Sequence, residues 1–406
     1  MAFEPTAFVV TLRHWHVITD SPLVSFSIFQ PLYMGATLQK GTIKFIDHDK
    51  RQFFNTLKSR VDQHFREQQH SSHANPAMVL KTVVLLLAYV GPFVALLVFQ
   101  PTFGISLLLW LLMGLAMAGI GMSVMHDANH GAYAANGKVN TWVSYSINIL
   151  GASGHNWKLQ HNLLHHTYTN ITHMDDDIDD KPALRFSPHT QVKGIHRFQW
   201  LHAFVMYGLT TLYWVFAKDF VQFARYQRNG VIRKSATENR KALLKIYALK
   251  ITYLAIFIGL PILVGLPFWS IAVGFVTMHF IAGLVLTVIF QLAHTVEGTS
   301  HPLPCAAGNI ENEWAIHQMN TTVNFAPHNK WLSWYVGGLN FQVEHHLFPR
   351  ICHVHYPRIA PIVRQTAAEF GVPYLENRTF WQALRSHIVT LRRFGQMPDL
   401  MNEAIG

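Results

Sequence analysis

The chain has 406 residues; half are hydrophobic, only 13% are charged, and the charges gather outside a few long apolar runs, which excludes an ordinary soluble domain. The formal charge of +10 fits Lys- and Arg-rich cytoplasmic loops beside anionic lipid, and would also attract an acidic protein partner. Nucleic acid is not an expected ligand, because the basic residues form no recognition motif and sit beside apolar spans.

In chain order, residues 1–33 lack the basic start, clean apolar run and small-residue cleavage site of a secretory signal. Their weak periodicity predicts an unstructured extension, or a true start at Met34. From Lys50 to Gln69, the apolar residues Phe53, Phe54, Leu57, Val61 and Phe65 recur at helical spacing, which predicts an amphipathic helix leading to the membrane. Met78 to Phe99 is long enough for a first span, given the ~20 residues needed to cross hydrocarbon. Its Gly91-Pro92 pair predicts a kink. An uncharged turn at Gln100-Pro101-Thr102 leads to a second span, Phe103 to Met125. The pattern repeats with Ile246 to Leu266 and Phe268 to Leu292, joined at Pro267. Both turns lack Lys and Arg, whereas the flanks carry Lys50, Lys58, Lys81, Lys234, Lys241 and Lys245. The positive-inside rule therefore puts both termini and the central region in the cytoplasm. Trp142 to Leu150 and Trp200 to Phe216 are too short or too aromatic to be spans, and are expected to be interfacial helices. The expected fold is an all-α integral membrane protein: four transmembrane helices in two hairpins, interfacial helices, and a cytosolic histidine-rich metal-binding cap. Residues 1–75 form the N-terminal extension and amphipathic helix, 76–366 the membrane domain, and 367–406 a cytosolic tail. Cys305 and Cys352 form no disulfide framework or zinc motif, and are expected to be reduced bystanders.

Three clusters stand just outside the apolar runs: His126-x3-His130, His161-x3-His165-His166 and Gln342-x2-His345-His346. Residues four apart share a helix face, so His126 and His130 can hold one metal, and His161 and His165 repeat the spacing. His166 points elsewhere and can reach a second metal or brace the first. Seven imidazoles and a glutamine exceed the ligands of one ion and suit two. The lack of thiolate argues against structural zinc. A lone interfacial histidine is ordinarily a surface or hydrogen-bonded residue, and His14, His16, His48, His64, His70, His73, His189, His196 and His202 are taken as such. His294 closes the fourth span at the right depth. His279, about 15 residues earlier and roughly 22 Å away along a helix, does not. Asp127 and Glu344 are candidates to accept a hydrogen bond from the second nitrogen of a ligating histidine, as are Asp175 and Asp176 in the acidic run that continues to Asp180.

His126-Asp-Ala-Asn-His130, His161-Asn-Leu-Leu-His165-His166 and Gln342-Val-Glu-His345-His346 resemble the three histidine boxes of membrane fatty acid desaturases. The glutamine in the third box resembles the front-end, linoleoyl-CoA branch. Gly337-Gly338-Leu339-Asn340-Phe341 and Leu347-Phe348-Pro349-Arg350 extend the similarity, as does the stretch from Trp314 to Phe325, expected to line the substrate region, with His317 as a further ligand candidate. The resemblance implies two non-heme irons, O2 as co-substrate, His294 as an additional ligand, and cis double-bond formation in an acyl-CoA or lipid-linked chain. No His-Pro-Gly-Gly heme motif is present, so a separate protein, ferredoxin or cytochrome b5, is expected to supply electrons. That points to the bacterial inner membrane ahead of the endoplasmic reticulum. The second box departs from the pattern, with three residues before its His-His pair where front-end enzymes often have two. The alternatives are a di-iron lipid or alkane hydroxylase and, from another class, a membrane metal transporter. Transporters place polar ligands within their spans, and these spans are nearly free of them.

Overall fold

Among the described residues, four helices have the length and apolarity to cross a membrane: Pro76–Phe99, Phe103–His130, Ala236–Leu263 and Phe268–His294. They belong to a computed structural model describing residues 43–47, 52–178, 181–305 and 307–398. The expectations for residues 1–33, His14, His16, His48 and Asp180 fall outside those residues.

The first span starts where a proline costs nothing, at Pro76, with the Asn75 side chain accepting from the Met78 N–H. Pro92 is accommodated inside it. Outward residues such as Leu80, Leu87 and Val98 are exposed, an apolar surface that suits lipid. The third span begins at Ala236, ahead of the apolar onset at Ile246. Ser235 and Glu238 form a capping box there, so the polar turns before Ile246 join the same helix. On the side away from the histidines, Gln100 Nε2 donates to the Val264 carbonyl at 2.7 Å, joining the turns of the two hairpins.

Helix Gln199–Tyr213, continued by the π-helical turn Trp214–Lys218, runs lengthwise along the fourth span, with contacts from Thr210–Thr287 to Phe216–Phe275. The close approach depends on glycine. A Cβ on Gly283 would lie 2.7 Å from the Gly208 carbonyl oxygen, and one on Gly208 would enter the Phe280 ring. Leu201, Val205, Leu209 and Phe216 face outward. Trp142 and Tyr145 likewise project from the short helices Gly137–Ser144 and Ser146–Ile149.

The cap sits on the histidine end of the spans. Helix Phe53–Glu67 buries Phe53, Leu57 and Val61, the i, i+4, i+8 stripe, beside Ile359 and Val363 of helix Tyr356–Glu369. Burial of each such side chain contributes about 1.5–3 kcal/mol. Two short parallel pairings tie distant loops: Lys44–Ile46 with Asn309–Glu311, and Asn324–Phe325 with Glu376–Asn377. The segment after residue 367, expected as a tail, includes helix Phe380–Gln396, which buries Ala383, His387 and Leu391. Its end is held by the buried guanidinium of Arg185, donating to the carbonyls of Phe394 and Met397.

Candidate metal centre

The second span carries the first box out of the apolar layer. A π-helical turn at Ile120–Val124 precedes Met125–His130 and sets the direction in which His126 and His130 project. Gly337 presses against that turn. It adopts φ +65°, and a Cβ there would lie 2.3 Å from the Met122 carbonyl oxygen, so the loop before the third box needs glycine for both conformation and space.

The second box lies on a π-helix, Lys158–His165, running into His166–Tyr168. Its i→i+5 pattern brings residues five apart onto one face. His166 therefore does not point elsewhere: its Nε2 lies 3.3 Å from that of His161. The α-helical spacing assumed from sequence is replaced by a wider turn, which absorbs the extra residue before the His-His pair.

The third box is a short helix, Gln342–Leu347. Eight imidazoles converge, all buried. Nitrogens of His126, His130, His161 and His345 lie within 4.8 Å of one another, as do those of His165, His294 and His346, and those of His166, His345 and His346. His126 Nε2 and His161 Nε2 are 3.1 Å apart. The end of the fourth span thus joins the boxes, and Gln342 reaches it with an amide nitrogen 3.0 Å from His294 Nε2. His279 is far from this cluster, bonded to Tyr253 and Thr211.

The outer nitrogens are held by acceptors. His165 Nδ1 meets the Asp175 carboxylate at 3.1 Å, His294 Nδ1 the Thr321 carbonyl at 3.2 Å, and His346 Nδ1 the Gln318 Oε1 at 2.7 Å. His345 Nδ1 lies 3.1 Å from the Tyr356 hydroxyl. With protons held on these Nδ1 atoms, the inward Nε2 atoms of His165, His345 and His346 present lone pairs, and these are buried with no hydrogen-bond partner, as are His130 Nε2 and Gln342 Oε1. Unmatched buried acceptors facing one another are costly unless a cation lies between them. An all-nitrogen set with one amide oxygen fits iron, zinc, copper or nickel.

Electrostatics point the same way. Burial, and then the neighbouring imidazoles, hold His161, His166, His345 and His346 well below the ordinary histidine value, in the neutral form that binds metal. His165 is the exception: burial opposes its charged form, but the charge and hydrogen bond of Asp175, with Asp177, raise it.

Of the other carboxylates, Glu344 and Asp176 turn away from the box histidines, while Asp127 stays beside His126. Glu344 touches no box histidine among the described contacts; it accepts from Asn324 Nδ2 and the Tyr374 hydroxyl, both at 2.8 Å. Burial pushes it up to about 7. Its position on the short helix turns it away from His345 and His346, so it anchors the helix to the Asn324–Phe325 strand. Asp176 faces Arg225 and the Tyr226 hydroxyl. Asp127 lies 4.0 Å from His126 Nδ1, and its stronger partner is His353 Nδ1 at 2.7 Å. Cys352 Sγ also meets it at 3.0 Å, so this cysteine lies within the tether joining the first box to the loop after the third. His317 is buried beside Phe45 and outside these nitrogen groups.

Sequence reasoning missed Gln318, Tyr356, His353 and Trp157. Only Gln318 carried a signal, lying in the stretch expected to line the substrate region; Trp314 and Gln318 both donate to the His166 carbonyl. Trp157 stands four residues before His161, at the one-turn spacing of the boxes, but an aromatic residue there is ordinarily read as packing; His353 and Tyr356 lie at no telling spacing.

The fatty acid desaturase family model matches residues 102–378. The chain is 35% identical to an sn-1 linoleoyl-lipid 6-desaturase of Synechocystis sp. over 87% of its length and 98% of the relative's. It is 36% identical to the enzyme of the same description in Arthrospira platensis, over 86% and 94%. It is 33% identical to an acyl-lipid (8-3)-desaturase of Physcomitrium patens, over 88% and 74%. With its histidine boxes gathered on one face of four apolar helices, this chain belongs to the fatty acid desaturase family.

Proposed function

We propose that this multi-pass membrane enzyme is a front-end desaturase acting on lipid-linked acyl chains, with two iron ions held by the eight converging histidines. The observation that carries the metal assignment is the set of buried Nε2 lone pairs with protonated, braced Nδ1 atoms behind them. His126, His130, His161 and His345 form one ligand group, and His165, His294 and His346 the other. His166 lies beside His345 and His346, and Gln342 beside His294. When bound and reduced, the irons supply O2 activation and abstraction of hydrogen from an unactivated C–H bond. In balance, a CH2–CH2 unit, O2, two electrons and two protons give a cis CH=CH unit and two waters. The chain's own residues orient the ligands: Asp175, Gln318, Tyr356 and the Thr321 carbonyl each fix one imidazole, and burial keeps bulk water from the site.

The proposed substrate is lipid-linked because the relatives quoted above are named for acyl-lipid chemistry. The electron donor is a separate protein, ferredoxin or cytochrome b5, acting from the cytoplasmic side, with the bacterial inner membrane as the setting. The test is gas chromatography–mass spectrometry of lipid classes from a desaturase-deficient host fed linoleic acid. A product lighter by two hydrogens, with its new bond on the carboxyl side of the existing ones and appearing first in membrane lipid, is expected. A product heavier by one oxygen would move the assignment to hydroxylation.

A further inference from the structure

Among the described residues, Trp157 is the one large aromatic residue with ring contacts to both the first and second boxes. Its ring stacks on His161 with centroids 4.4 Å apart, and stands edge-on to His126 and His130 at 5.8 Å. It is buried, but the next residue, Lys158, is exposed. Two residues earlier, His155 is held below its ordinary value by burial and then by the charges of Lys234, Lys158 and Lys245. Leu159, Val231, Ile232, Leu243 and Ile246 pack into one apolar cluster, so the exposed lysines beside them, Lys158, Lys234 and Lys245, come together next to the short helix Gly154–Trp157 although they lie far apart in the chain. Lys234 and Lys245 are exposed and bracket a run that also holds Arg240 and Lys241. The run's single carboxylate, Glu238, is taken up by the Ser235 cap. These exposed side chains give the surface beside Trp157 an excess of positive charge.

We infer that the Lys158–Lys234–Lys245 surface is the docking site of an acidic one-electron carrier protein, and that Trp157 is the route by which its electron reaches the histidine cluster. The inference rests on the desaturase reading, since it assumes a redox metal among the histidines. Two observations favour this occupant. The patch's charge complements an acidic partner. Trp157 also joins this patch to the ligand rings by direct ring contact, and electron tunnelling weakens steeply with separation. Each docking oxidises the carrier by one electron and reduces one metal ion by one; two dockings deliver the pair consumed with O2 and two protons.

The test uses the full chain in nanodiscs of neutral phosphatidylcholine, probed with a reduced plant-type [2Fe–2S] ferredoxin and, in parallel, with cytochrome b5. The combined variant Lys158→Glu, Lys234→Glu, Lys245→Glu should raise the Kd for the carrier at least about tenfold at low salt and flatten its salt dependence. It should keep the wild-type metal content. Arg385→Glu with Arg392→Glu, exposed residues on helix Phe380–Gln396, should leave the Kd within about twofold and so exclude a net-charge effect. Trp157→Leu should leave the Kd unchanged but slow metal reduction by the bound carrier, with Trp157→Phe closer to wild type. Unchanged Kd in the lysine variant, with metal intact, would overturn the docking surface and leave the desaturase reading standing. An effect seen only in anionic vesicles would overturn it in favour of lipid headgroups. Absence of metal and product in the wild type would instead overturn the underlying reading.

Discussion

Behind His165, the buried Asp175 carboxylate also accepts from the backbone N–H groups of Asn170 and Asp177. It is held from three sides and so fixes the ring in place. Replacing it with Asn keeps the shape and removes the charge; metal affinity should fall roughly 10- to 100-fold, measured as metal retained against a graded chelator. Removing a ligand is harsher. His130→Ala, His165→Ala or His346→Ala should each abolish product while the protein remains in the membrane fraction. Full activity in one of them would remove that residue from the ligand set. At this scale the sequence told much: every box histidine converges, because paired imidazoles at one-turn spacing have few other reasons to recur. It did not tell where the carboxylates face. Glu344 and Asp176 neighbour important residues in sequence, but Glu344 sits on a short helix, where adjacent side chains point apart, and Asp176 sits in a turn that aims it at Arg225 and Tyr226.

The elements were legible where periodicity was strong. The spans and the Phe53, Leu57, Val61 stripe follow from apolar spacing, since burial dominates their energetics. The π-helical turns were not legible, because an α-helical period was assumed and no single residue announces an i→i+5 turn. The loop before the third box presses closely on the second span. Gly337→Ala adds a Cβ at positive φ against the second span's carbonyl, and should destabilise the protein by about 2 kcal/mol or more. The measurement is thermal unfolding in detergent, with metal content followed alongside. An unchanged Tm would show that the loop can retreat from the span.

Across the whole molecule, the C-terminal helix links distant parts. His387 donates from Nδ1 to the Thr295 carbonyl at 2.7 Å and its Nε2 accepts from the Tyr207 hydroxyl at 2.9 Å. Burial lowers its value from 6.5 to about 4. The folded state therefore favours neutral His387. The stability this contributes is fully present above pH 6.5 and is lost as pH falls through about 4. The effect is on the order of 3 kcal/mol. His387→Gln should flatten the stability profile across that window, measured by denaturant unfolding at graded pH; an unaltered acid limb would place the titration elsewhere. The positive-inside rule alone predicts only a cytosolic tail here. The packing was hidden because its partners, the loop after the fourth span and the helix along it, lie far away in sequence.

The wide turn under the second box has one more consequence. Deleting a single residue such as Leu163 would leave every histidine in the chain, yet allow the segment to rewind at the ordinary pitch and restore the shorter His-x2-His-His count. Relatives whose boxes differ by one residue can then present the same angular phase of imidazoles. In this chain, the orientation of the second-box imidazoles around the helix axis is set by the local pitch together with the residue count.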